Sequence, residues 1–140
     1  MVRTTPIFSL YLRTRWPTAG RPIAPAIAAT ADDYAKKVLD WYAREGWDAA
    51  MVDAHIARAA AWARKHSVRL VCNEWGAYKP KAPREDRLAY LRDVRMSLEK
   101  HGIGWTIWNG AFGPLTTVAG RPGVDVEAVK ALGLTPVADR

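Results

Sequence analysis

Glu74 is the residue of this chain best placed to do chemistry. The segment Val71-Cys-Asn-Glu-Trp-Gly-Ala-Tyr78 runs a short apolar stretch into a carboxylate, with the turn-forming Gly76 and the aromatics Trp75 and Tyr78 directly after it. A carboxylate at a strand end, ringed by aromatic side chains, suits cleavage at a sugar. The carboxylate attacks or transfers a proton, and flat rings cover the apolar face of a pyranose. A second stretch, Gly104-Trp-Thr-Ile-Trp108, ends in the same style at Trp108-Asn109-Gly110. The two read as neighbouring strands of a (β/α) barrel that present Glu74 and Trp108 at one rim. A purely structural reading stands beside this one: a partly solvated strand-end glutamate next to core tryptophans.

Other chemistries lack their residues. His55, His66 and His101 fall on predicted helices or their ends, away from the strand tips, and read as surface or satisfied side chains. No His/Asp/Glu trio has metal-ligand spacing and no Gly-rich loop opens a helix, so neither a metal nor another cofactor is expected. The single cysteine, Cys72, excludes an internal disulfide and a Cys-based zinc cluster; inside an apolar strand it reads as a buried, inert thiol. The net charge of +7, from 21 Lys and Arg against 14 Asp and Glu, raises binding to a polyanion. The charges are scattered, however, and those at Glu85, Asp86, Arg87, Arg92, Asp93 and Arg95 alternate in sign as on a solvated helix face, so no nucleic-acid partner is expected. No apolar run approaches the roughly 20 residues of a membrane span, and Arg13 and Arg15 break the one apolar stretch near the start, so neither a membrane partner nor a secretory leader is read.

The elements that must position Glu74 and Trp108 follow from caps and periodicity. Thr30 and Asp33 sit at capping-box spacing, Tyr34, Val38, Trp41 and Tyr42 recur at helical intervals, and Gly46 stops that helix. A second helix runs from near Asp48 to about His66, with Val52, Ile56, Ala59, Ala60 and Ala63 on one side. Strand Val68 to Asn73 follows, then a loop, then a third helix from Arg84 to Lys100 with the stripe Leu88, Leu91, Val94 and Leu98. Strand Ile103 to Trp108, a Gly-rich loop to Gly123 and a short helix from Asp125 complete the rhythm of a parallel βα array. Residues 1 to 30 differ: they hold Arg3, Arg13, Arg15 and Arg21 and four prolines but no Asp, Glu or Lys, and their one strand-like piece is Ile7 to Leu12. The chain thus divides into an atypical, loosely packed basic segment, 1–30, and a βα portion, 31–140. At 140 residues, 49% of them hydrophobic, it is long enough for a core but short of the typical barrel of about 250 residues.

From about Asp48 to Leu134 the chain resembles the C-terminal end of family 5 glycoside hydrolases, the cellulase family. The resemblance rests on Trp62-Ala-Arg-Lys-His66, Asn73-Glu-Trp-Gly-Ala-Tyr78, Arg87 with Asp93-Val-Arg95, Gly102-Ile-Gly-Trp-Thr-Ile-Trp108, Phe112-Gly113 and Asp125 through Leu134, in matching order and spacing. It implies an α/β fold, part of a (β/α)8 TIM barrel comprising about strands 6 to 8. It also implies that Glu74 is the nucleophile of a retaining double displacement and that Trp108 is the floor under the sugar. Asn109, Trp75 and Tyr78 are then rim contacts, each with a structural role as the alternative. Phe8-Ser-Leu-Tyr11 lies where the sixth strand has a His-x-Tyr pattern, so Tyr11 takes the place of the tyrosine that orients the nucleophile, with Ser9 where the histidine belongs.

Two departures qualify what the resemblance implies. Arg13-Thr-Arg-Trp16 replaces the family's continuation after that strand, inside the acid-free stretch, as a shifted reading frame near the start would produce. The family's acid/base glutamate belongs to an Asn-Glu-Pro motif far upstream, whereas the one Asn-Glu here, Asn73-Glu74, is followed by Trp75. The leading expectation is therefore a β-glucan hydrolase fragment carrying the nucleophile, whose partner is an oligosaccharide or β-glucan substrate, and beyond that a missing N-terminal half or a second copy of itself. By the same resemblance it belongs outside the cell or in the periplasm. The alternatives are a catalytically inactive half barrel that binds carbohydrate weakly through Trp75, Trp105 and Trp108, and a basic interaction module that uses its charge alone.

Overall fold

The computed structural model describes residues 15–80, 82–108, 113–118 and 121–135. Among these residues lie five helices, α1 (Ala24–Ala28), α2 (Asp33–Glu45), α3 (Ala49–Lys65), α4 (Arg84–Lys100) and α5 (Val126–Ala131), and four strands, in the order α1-α2-α3-β1-α4-β2-β3-β4-α5. These are β1 (Val71–Cys72), β2 (Gly104–Trp105), β3 (Leu115–Val118) and β4 (Arg121–Val124). The expected strand Ile7 to Leu12 lies outside the described residues.

Helix boundaries follow local chemistry. Asp48 accepts from the Met51 N–H at 2.8 Å to open α3, and Asp125 accepts from the Ala128 N–H at 3.2 Å to open α5. For α2 the cap is Asp32, which accepts from Tyr34 and Ala35, rather than Thr30. A carboxylate next to the first turn satisfies two orphan N–H groups there and also complements the helix dipole, which a threonine two residues earlier does not. Helices α3, α4 and α5 end in the same turn. In α4 the Ile103 N–H reaches back to Leu98 O at 2.9 Å and Gly102 to Glu99 O at 3.0 Å, with Gly102 at φ 67°. Val68 and Ser67 do the same behind α3, and Leu134 and Gly133 behind α5. Each such turn reverses the chain, and after α3 and α4 it delivers it to β1 and β2.

Strands β1 and β2 pair in parallel, Val71 opposite Gly104 and Cys72 opposite Trp105. Both are much shorter than the expected Val68 to Asn73 and Ile103 to Trp108, because among the described residues each pairs only with the other. The stretch anticipated as a Gly-rich loop contains an antiparallel hairpin, β3 against β4, with Leu115 opposite Val124 and Val118 opposite Arg121. Its signal was present as two short runs separated by the dipeptide Ala119-Gly120, a two-residue hairpin spacing.

The core is organised around α4. Tyr90, Leu91, Val94 and Leu98 are buried, while Leu88 of the expected stripe is only half-buried and Tyr90 takes the deep position. The buried face is wide because α3 and α5 both pack against this helix. In α2 the buried pair is Leu39 and Tyr42, three residues apart, while Tyr34 is 76% exposed and Trp41 sits at the margin. Residues 15–30 contribute to the same core: Trp16, Thr18 and Ile23 are buried, and the Thr18 N–H donates to Trp47 O at 2.8 Å. The Trp16 ring meets Tyr90 edge-on at 5.1 Å, and its Nε1 donates to Asp93 at 2.9 Å. Pro25 in the first turn of α1 suits a helix start, a short element that periodicity did not reveal.

Asp53 of α3 fastens the end of α4. Its carboxylate accepts from Lys100 Nζ at 2.7 Å and Ser97 Oγ at 2.8 Å, and His101 Nε2 lies 3.0 Å away. The bonds from Lys100, then Ser97, then His101 hold the Asp53 carboxyl down at about 2. Because the folded value lies below the unfolded value of about 3.9, this contribution is complete above roughly pH 4 and is lost as pH falls towards 2. Asp53→Asn is expected to lower the urea midpoint at pH 7 and to flatten the acid limb of the stability profile over that window. Identical acid limbs for the two chains would exclude Asp53 as the group responsible.

Candidate active site

Past the ends of β1 and β2 the pairing shifts by one residue but goes on, so Glu74 and Trp108 lie at the same end of the strand pair. The Thr106 N–H donates to Cys72 O at 2.9 Å, the Thr106 hydroxyl to Asn73 O at 2.9 Å, and the Trp108 N–H to Trp75 O at 2.8 Å. Residues 73–75 and 106–108 are thereby laced together at the C-terminal ends of adjacent strands. This is where barrel architectures gather reactive side chains, since the loops there are free to vary without disturbing the packed layers below.

Glu74 is exposed, and among the described residues its carboxylate accepts no hydrogen bond and joins no ion pair. Trp108 is 45% exposed. A carboxylate without a competing partner is available as a nucleophile, and a half-open indole offers a flat apolar surface to a sugar ring. Trp75 takes the structural alternative: it is 3% exposed, its ring meets Trp105 edge-on at 5.5 Å, and its carbonyl ties Trp108 in place. Tyr78 is half-buried in the loop that leads to α4. Asn109 and Tyr11 lie outside the described residues. Cys72, behind Glu74, is half-buried, and burial pushes its thiol above the ordinary cysteine value, which keeps it protonated and unreactive near neutral pH.

A second feature lies at the opposite end of the strand pair. A groove of about 420 Å³ opens there, lined by Ala63, Val68, Val71, Ile103 and Gly104 among others. Val71 is 64% exposed and Val68 45% exposed. Both therefore keep much of their apolar surface uncovered by the described residues. Sequence reasoning missed the ion-paired cluster of Arg84, Arg87 and Asp125, in which Arg87 Nη2 lies 2.5 Å and Arg84 Nη2 3.0 Å from the Asp125 carboxylate. Only the cap role of Asp125 was legible locally, because its cationic partners are far away in sequence. Among the described residues no group of His, Cys, Asp and Glu could hold a metal ion, and no helix is long and apolar enough to cross a membrane.

No family profile matches the chain. A curated relative, Endoglucanase 3 of Fibrobacter succinogenes, is 28% identical over 98 residues, which is 70% of this chain and 14% of that protein. Among solved structures, cellulose synthase subunit Z (CcsZ) of Clostridioides difficile is 27% identical with a TM-score of 0.54, over 60% of this chain and 28% of that one. A hyperthermophilic endo-β-1,4-glucanase in complex with substrate is 26% identical with a TM-score of 0.53, over 67% and 28%. Cel5A of Thermotoga maritima with cellobiose, at 21% identity and a TM-score of 0.57 over 74% and 33%, speaks to the fold alone: helices and strands compatible with part of an α/β barrel. The chain therefore spans about a seventh of the curated relative and about a third or less of these solved chains. Endoglucanases recur in both comparisons, and the resemblance read from the sequence stands: this chain is similar to a part of cellulase-family endoglucanases.

Proposed function

We propose that the chain is the nucleophile-bearing part of a retaining β-glycoside hydrolase acting on a β-glucan, formed by about the sixth to eighth βα units of a (β/α)8 barrel. Glu74 is the nucleophile and Trp108 the platform under the sugar, with Tyr11 and Asn109 completing the subsite. The single observation that supports this reading is the bond from the Trp108 N–H to Trp75 O, which puts half-exposed Trp108 and Glu74, whose carboxylate has no partner among the described residues, at the same end of the strand pair. The endoglucanase relatives support a glycoside hydrolase type of function. The solved endo-β-1,4-glucanase that is 26% identical is in complex with substrate, which supports an oligosaccharide ligand.

The test uses a 2-fluoro glycoside with a dinitrophenolate leaving group. A Glu74 oxygen forms a bond to the anomeric carbon as the bond to the phenolate oxygen breaks, and the electron pair departs with the phenolate without protonation. Mass spectrometry is expected to find a glycosyl ester on the peptide containing Glu74, and none in Glu74→Gln. Absence of the ester, with retained weak binding of cello-oligosaccharides, would favour the second reading, an inactive half barrel. That reading draws support from the absence of an Asn-Glu-Pro segment.

The open strand pair and the apolar groove beside Val68 and Val71 also support association with a second copy or with a complementary βα portion. Sedimentation velocity at rising concentration is expected to show dimers or larger species. A monomer with a sharp, concentration-independent melt would contradict this.

A further inference from the structure

The groove at the N-terminal ends of β1 and β2 is set apart by its charge. No Asp or Glu occurs between Asp53 and Glu74, whereas Arg58, Arg64, Lys65 and Arg69 do. Arg64 and Arg69 stand in the wall of the groove, and no carboxylate lines it. Both arginines are exposed, and among the described residues neither guanidinium has an acid or any other acceptor. Elsewhere cations such as Arg84, Arg95, Lys100 and Lys130 each hold a carboxylate. His101, which also lines the groove, has its Nε2 3.0 Å from Asp53.

The rest of the lining is mostly apolar, with Ala60, Ala63, Val68, Leu70, Val71 and Ile103. No Phe, Tyr or Trp lines it, so it offers neither a base nor a sugar ring a surface to stack on. A lipid surface is met by apolar groups that protrude, whereas these line a recess. Recessed apolar surface beside two unmatched guanidinium groups suits an occupant that has apolar side chains to bury and carboxylates to present. Like charge opposes two other occupants. Two such grooves meeting face to face would bring Arg64 and Arg69 towards their own images, and residues 1–14 carry Arg3 and Arg13 but no acid.

We propose that this groove docks an acidic, apolar segment of another protein chain, whose Leu- or Val-like side chains fill the recess while Asp or Glu meet Arg64 and Arg69. Forked guanidinium donors hold carboxylates by two-point contacts, and burial of apolar surface adds affinity that salt does not screen. Such docking deepens the association proposed above by giving the partner its chemistry, and rests on that reading only in using the same uncovered face. Glu74 and Trp108 do not line the groove, so the sugar-cleaving reading is untouched by it.

The experiment titrates the dilute 140-residue chain with a short peptide that alternates Leu with Glu, following backbone amide resonances. Saturable shifts are expected in residues 60–71 and 101–104, with an affinity that falls as salt rises. A peptide with Lys in place of Glu, and one with Ser in place of Leu, should each bind about tenfold more weakly or worse, since each lacks one of the two contributions. Arg64→Glu and Arg69→Glu, both at exposed positions, should each weaken the Leu–Glu peptide about tenfold, because charge reversal removes an attraction and adds a repulsion. Lys37→Glu, on exposed α2 surface outside the groove, should leave it unchanged. No saturable shift with the Leu–Glu peptide overturns the proposal. So does equal binding of the Lys peptide, or binding that Arg64→Glu and Arg69→Glu together leave intact. Phosphatidylserine vesicles that shift the same residues while the peptide is silent overturn it too, in favour of a lipid surface. Peptide binding by a chain that sedimentation finds monomeric upholds the docking and removes the self-association, and dimers that ignore the peptide do the reverse.

Discussion

The purified chain is expected to leave an unactivated β-glucan uncut, while the activated fluoroglycoside described above is still expected to label Glu74. Glycosidic oxygen is a poor leaving group, and protonation by a positioned acid typically contributes about 10²–10⁴-fold in rate. In a retaining enzyme that acid sits about 5 to 5.5 Å from the nucleophile. Among the described residues no carboxylate interacts with Glu74, and the only Asn-Glu in the chain is the one that contains it. A reducing-end assay on soluble β-glucan should therefore stay at background. Turnover that survives Glu74→Gln would show that the nucleophile is another residue. Turnover abolished by Glu74→Gln would show that an acid within these 140 residues reaches the scissile oxygen.

Trp16→Ala is expected to cost about 3–5 kcal/mol, a large share of the roughly 5–15 kcal/mol that holds a domain together. Trp16 is 2% exposed, packs edge-on against Tyr90 and donates to Asp93. Truncation opens a cavity beside α4 and removes one of the donors to that carboxylate, leaving Arg92. Trp16→Phe keeps most of the packing and loses the hydrogen bond, so it should cost closer to 1 kcal/mol. Urea denaturation of the three chains decides the matter. A loss below about 1 kcal/mol for the alanine variant would mean that the segment before α1 does not share the core, since surface changes fall in that range.

That second result bears on how much of the molecule a reader of the sequence could see. The acid-free stretch read as loosely packed, yet Trp16, Thr18 and Ile23 are buried. The misreading has a physical origin: composition reports how a segment meets water on average, whereas burial is decided by single side chains that find a pocket. Tyr34 and Trp41 erred the other way. Both are apolar at helical spacing, and both lie towards solvent because Leu39 and Tyr42 face the neighbouring elements.

The residues of the candidate site were legible for a local reason. A strand that stops at Glu74 and another that stops at Trp108 announce themselves by short-range pattern, and parallel βα order then puts their ends on one side. The sequence by itself determined the ends of α3, α4 and α5, through Asp48, Asp125, Gly102 and Gly133, because capping acts between groups a few positions apart. It also put Glu74 and Trp108 at the same end of two paired strands. Tertiary structure alone decided that Trp75 is buried, that Tyr90 rather than Leu88 is the deep residue of α4, and that Arg87 and Asp125 meet. Those outcomes depend on partners distant along the chain, and no local pattern encodes which side chain a distant one will touch.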